Sequence, residues 1–164
     1  RESAYLILRH VSDGLAIAKA AKLPRKVVDF IPQHHGTRLI GHFFHRAKDD
    51  SERRGTPPPV EADFRYLGPR PQTREAALVM IADMVVALSR SLTSAAPEKL
   101  RQLVDGGIQA AVTEGQLDEC ELTLRDLKLI AESFVNSLQR LYARPDSGDS
   151  GPRLRVLEPE LKRA

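Results

Sequence analysis

The chain has 164 residues and a formal net charge of +3, enough length for one domain that buries roughly two-thirds of its unfolded surface. Charges of both signs are well mixed, which excludes the concentrated basic stripe of a duplex DNA binder and leaves a small anionic ligand open. Aromatic residues are few and Trp is absent, so the periodic Leu, Ala, Val and Ile stretches predict an all-α fold.

The first segment, SAYLILRHVSDGLAIAKAAK at 3–22, sets Leu6, His10, Gly14 and Ala18 at four-residue spacing, which predicts a helix with His10 facing inward. It starts in helical periodicity at RESAYLILRH without an initiator Met, so the polypeptide is expected to continue upstream and this chain to be a fragment. Pro24 is placed as the first residue of a second helix, PRKVVDFIPQHH, with Gly36 as its stop and the His34-His35 pair in its last turn. Thr37 is then expected to cap TRLIGHFFHRAKDD, where Leu39, Ile40, Phe43, Phe44 and Ala47 form an apolar stripe.

From Ser51 to Gln72 the text is rich in Pro, Gly and charge, and is expected to be mobile over 51–61 and ordered over FRYLGPRP. Helices are predicted from Thr73 to Leu92 and from Pro97 to about Thr113. QLDECEL fails the spacing of a calcium loop and reads as a solvated lead-in to the last helix, which opens at Thr123 with Asp126 three residues on, an Asp version of the capping box. A helical bundle is thus expected over 1–143 and a flexible tail over 144–164, with LRVL as a docked patch within it. The single cysteine, Cys120, suits a reducing compartment and a structural role. No run is long enough to cross a bilayer, and there is no signal-like start.

Asp83 is the most informative residue, because it stands alone in AALVMIADMVVAL at 76–88. With Val79, Met80, Val86 and Ala87 as its helical neighbours it is expected to be desolvated, which is costly unless a cation or several donors compensate. A buried Asp paired with an Arg is the bland reading. The sharper one gathers His10, His34, His35 and Asp83 as N and O ligands of a Zn, Mn or Fe ion. Each histidine alone is more often a hydrogen-bonded core residue or a surface pair.

The stretches RHVSDGLAIAKAAKLPRKVVDFIPQHHGT, FRYLGPRPQTREAALVMIADMVVALSRSL and EGQLDECELTLRDL closely resemble the HD-domain phosphohydrolases fused to a seven-transmembrane receptor region, the PgpH-type cyclic-di-AMP phosphodiesterases of bacteria. The resemblance covers residues 3 to about 142. It implies an HD-domain helical bundle, truncated here on its N-terminal side, and a site for two divalent ions of the Mn or Fe type. His10, His34 and His35 match the ligands of one ion and Asp83 a ligand of the other. The family's first His and its His-Asp pair have no match, since no His precedes His10 and no His-Asp dipeptide occurs.

The activity so implied is hydrolysis of cyclic di-AMP to a linear dinucleotide by the output domain of a membrane receptor on the cytoplasmic face of the bacterial inner membrane, the fragment alone being inactive. The upstream transmembrane region is the implied partner, no DNA is involved, and a homodimer is allowed. Thr37, Arg38, Arg70 and Arg90 are the candidate phosphate contacts, and Tyr66 a platform for a base. The alternative is a degenerate HD domain that binds nucleotide or metal without hydrolysis.

Overall fold

The computed structural model describes residues 2–92 and 96–143, so the tail and the patch expected at 144–164 lie outside the described residues. Among the described residues the chain is helical with no strand. Its helices are α1 (Glu2–Ala20), α2 (Arg25–Val28), α3 (Phe30–Gln33), α4 (Gly41–Arg54), α5 (Arg74–Ser89), α6 (Pro97–Thr113) and α7 (Leu124–Ala143), with a 3-10 turn at Glu61–Phe64.

The core lies among α5, α6 and α7. Met80, Ile81, Leu100, Val104 and Ala111 are completely enclosed, and Val135 and Leu138 close the cluster from α7. Thr73 caps α5 by accepting the Ala76 N–H at 3.1 Å, Pro97 opens α6 where its missing N–H costs nothing, and Thr123 and Asp126 cap α7 reciprocally as expected. The α1–α4 half packs on this bundle mainly through α3 against α5.

The second predicted helix is two. Pro32 has no N–H to give the Val28 carbonyl, and its ring would crowd that carbonyl, so the run divides at Asp29 into α2 and α3. Pro24 stands before the first turn rather than in it. Thr37 does not cap the next helix. α4 starts at Gly41, with Ile40 as a boundary residue that offers no side-chain cap. Nor is 51–61 a mobile stretch throughout: Ser51 is buried, and α4 runs on to Arg54. There Gly55, at φ 61°, takes the left-handed turn that lets the Thr56 N–H reach the Ser51 carbonyl at 3.0 Å.

Candidate metal centre

Four chain segments meet at the histidines. α1 carries His10, and His34 and His35 follow directly on α3, where Gly36 at φ +55° turns the chain away. An isolated bridge pairs Leu39 with Arg65, and the Tyr66 N–H donates to the Arg38 carbonyl at 3.0 Å. α5 supplies Asp83.

The three histidines converge through one kind of nitrogen. His10 Nε2 lies 3.1 Å from His35 Nε2 and 3.3 Å from His34 Nε2. Each Nδ1 is engaged elsewhere: His10 Nδ1 on the Ile7 carbonyl, His34 Nδ1 on the Ile31 carbonyl at 2.6 Å, and His35 Nδ1 on Asp83 Oδ2 at 3.3 Å. A carbonyl only accepts, so Nδ1 carries the proton, and in the neutral tautomer so selected Nε2 is bare. Bare nitrogens this close repel one another unless a cation lies between them.

Their spacing suits one. Nitrogens about 2.0–2.1 Å from a shared ion stand roughly 3 Å apart, as these do. Burial, followed by the charges of His34, His10 and Arg38, holds the His35 ring down to about 3. His35 is therefore a neutral imidazole whose Nδ1 faces the Asp83 carboxylate, and the pair is no ion pair near neutral pH. A carboxylate on the far nitrogen of a ligating histidine fixes the ring's tautomer and raises its basicity.

Asp83 itself departs from expectation. It is exposed rather than desolvated, its side chain 45% accessible. α5 is apolar almost all round but packs on only one side, burying Ala77, Met80, Ile81, Met84 and Val85; Asp83 lies on the opposite stripe with Glu75, Val79 and Ala87. His10 is likewise exposed on α1 rather than turned into a core. His42 and His45 are exposed on α4.

The other candidates are spread around this centre. Tyr66 stacks on His35, ring centroids 4.2 Å apart, and meets His10 edge-on at 6.1 Å. Burial, then the Asp83 charge, pushes its phenol up to about 12, so it is neutral at physiological pH. Arg38 lies near Glu114 at 3.9 Å. Arg70 faces Asp118 at 3.8 Å and Glu119 at 3.9 Å. Arg90 is exposed beyond the end of α5, two turns past Asp83.

QLDECEL is more than a solvated lead-in, since Gln116 and Leu117 are buried and Glu121 accepts from Arg74 through its carbonyl at 2.6 Å. Thr37 is tied to Gln116, and its carbonyl accepts from Arg65 Nη1 at 3.0 Å. Sequence reasoning missed Gln33, Arg65 and Gln116. Isolated amides carry no periodic signal, and the partners of Gln33 and Gln116 are far away along the chain.

No family model matches the chain. It is 36% identical over 152 residues to a protein named cyclic-di-AMP phosphodiesterase PgpH of Listeria monocytogenes, covering 90% of this chain and 20% of that protein. Bacillus subtilis PgpH, bearing the same description, is 36% identical over 84% of this chain and 19% of its own length. An uncharacterised Synechocystis protein is 42% identical over 84% of this chain and 17% of its own length. The chain thus spans about a fifth of the length of the curated relatives it matches. Two crystal structures of the L. monocytogenes PgpH HD domain, one of them a complex with cyclic-di-AMP, superpose with TM-scores of 0.77 and 0.79 at 36% identity, covering 86% of this chain and 64% of theirs.

Proposed function

Because the chain belongs to the HD-domain family of the PgpH cyclic-di-AMP phosphodiesterases, we propose that it forms the His-rich part of a divalent-metal site that opens cyclic di-AMP to a linear dinucleotide. The observation that carries this reading is the convergence of three Nε2 atoms whose Nδ1 partners are all acceptors. His10, His34 and His35 would hold one ion of the Mn or Fe type. Asp83 would serve the second ion, as the family pattern implies, while its contact with Nδ1 keeps the His35 ring in register.

Bound ions supply Lewis acidity toward the phosphoryl oxygens and lower the pKa of water. The chain's own residues orient the rest. Water adds to phosphorus, one phosphorus–ribose oxygen bond breaks, and the departing ribose oxygen takes a proton. Arg38, whose charge acts on His35, would meet a phosphate there; Thr37 shares its turn. Arg70 reaches a phosphate only by giving up Asp118 and Glu119, and Arg90 only from two turns away. Tyr66 already gives one face to His35, which leaves its other face for a base. Among the described residues no helix is long and apolar enough to cross a membrane, and attachment to a membrane receptor at the cytoplasmic face is part of the proposal.

The test is cyclic-di-AMP hydrolysis by the full-length polypeptide with Mn2+ supplied, beside His35→Ala and Asp83→Asn. Linear dinucleotide from the unmutated protein, with each variant at least about tenfold slower, is the expected result. Binding of the dinucleotide without turnover by the folded, metal-loaded protein would overturn it in favour of a non-catalytic signalling module.

A further inference from the structure

Gln116 is 1% exposed although it opens an acidic loop. Its Oε1 accepts the Thr37 N–H at 2.9 Å, and its Nε2 donates to Thr37 Oγ1 at 3.0 Å and toward the Glu114 carbonyl at 3.4 Å. The amide also lies hard against Gly36, where any Cβ would run into its Oε1. One loop, 79 residues further along the chain, therefore grips the turn that immediately follows the histidine pair.

A second amide grips the other side. Gln33, buried and adjacent to His34, donates to the Asp29 carbonyl at 2.8 Å and accepts the Gln72 N–H at 2.8 Å. α3 has four residues, too few to hold a conformation by its own hydrogen bonds. The direction of His34 and His35 is therefore set by what the flanking turns are tied to.

We propose that Gln116 is a positioning residue for the histidine centre, acting through the Thr37 N–H to keep His34 and His35 aimed at His10. It touches neither an ion nor a substrate. The inference rests on the metal reading above for its consequence, but the geometry it explains is present without an ion. Removing the acceptor leaves the Thr37 N–H to find another partner, and the turn that re-forms carries His35 Nε2 away from His10 Nε2. The acceptor is specific: an apolar side chain of equal size fills the space beside Gly36 but cannot hold Thr37.

The experiment compares the 164-residue chain with Gln116→Met, which keeps the volume, Gln116→Glu, which keeps an acceptor, and the surface control Gln109→Ala. Co2+ is titrated by its visible d–d band, and Thr37 amide exchange and the His10–His35 ring cross-peak are followed by NMR. Gln116→Met is expected to weaken Co2+ binding by about tenfold or more, alter the band, speed Thr37 exchange by about tenfold and weaken the cross-peak. Gln116→Glu is expected to recover at least half of each loss, and the control to match the parent chain. Parental Co2+ affinity, band and Thr37 exchange in Gln116→Met would overturn the proposal, as would a folded Gln116→Glu no better than Gln116→Met.

If the parent chain takes up no Co2+, the metal reading fails by itself. Thr37 exchange and the cross-peak then decide the positioning role, and values unchanged in Gln116→Met overturn it. Should Gln116→Met lose its fold by circular dichroism, Gln116→Asn carries the same test, since the amide one carbon shorter stays polar but no longer reaches the Thr37 N–H.

Discussion

His35 sits between Asp83 on one nitrogen and His10 on the other, and burial with its cationic neighbours keeps the ring neutral down to about pH 3. In the unfolded chain the same ring titrates near 6.5. Between those values the unfolded state binds a proton that the native state refuses, so this stability contribution is whole above about pH 6.5 and is lost as pH falls toward 3. Among the described residues Asp126 is the one carboxyl held below its ordinary range, and it acts only below 3.8, which leaves the interval from pH 7 to 5 clear. For the chain stripped of metal by EDTA, the urea midpoint is expected to fall from pH 7 to pH 5, and to fall less in His35→Gln. Equal slopes for the two proteins would sink the assignment. The convergence of His10, His34 and His35 was legible at this scale because the sequence motifs match a family; the environment of Asp83 was not. Periodicity cannot say which face of an all-round apolar helix will be packed, and Asp83 came out on the free stripe of α5.

Helix boundaries were legible wherever capping chemistry is local. Thr123 Oγ1 accepts the Asp126 N–H at 3.1 Å, and Asp126 Oδ2 accepts the Thr123 N–H at 2.9 Å. Asp is one carbon shorter than the usual Glu and still closes the box. The Asp126 carboxyl is held low by these hydrogen bonds to Thr123. Thr123→Ala removes the acceptor for the third N–H of α7 and is expected to lower the unfolding free energy by about 1 kcal/mol; urea denaturation at pH 7 reads it, and an unchanged midpoint would show that α7 is held by packing alone. Thr37 shows the opposite case. It is a good cap by type, but its N–H and hydroxyl are both committed to Gln116, a tertiary partner that no local pattern reveals. The division at Asp29 has a local cause in Pro32, which can neither donate to the Val28 carbonyl nor pack its ring beside it.

At the scale of the whole molecule the two halves differ in what holds them. α5, α6 and α7 share a closed apolar core, whereas α1 leans on α3 and the 3-10 turn with Tyr5, Leu6 and Ile17 more than 60% exposed. α1 therefore opens before the bundle does. The histidine centre spans that weak joint, since His10 belongs to α1 while His34 and His35 follow α3. A shared ion would act as a cross-link between them, and free metal at a hundred times its dissociation constant would stabilise the closed arrangement by about 2.7 kcal/mol. Mn2+ is accordingly expected to slow amide exchange in α1 and at 34–37 far more than in α5–α7, measured by hydrogen exchange with mass spectrometry. His10→Ala should abolish that selectivity without changing exchange in the α5–α7 core. Slowing spread evenly over the chain, or retained in His10→Ala, would mean that the ion binds elsewhere and that the three converging nitrogens do not join α1 to α3.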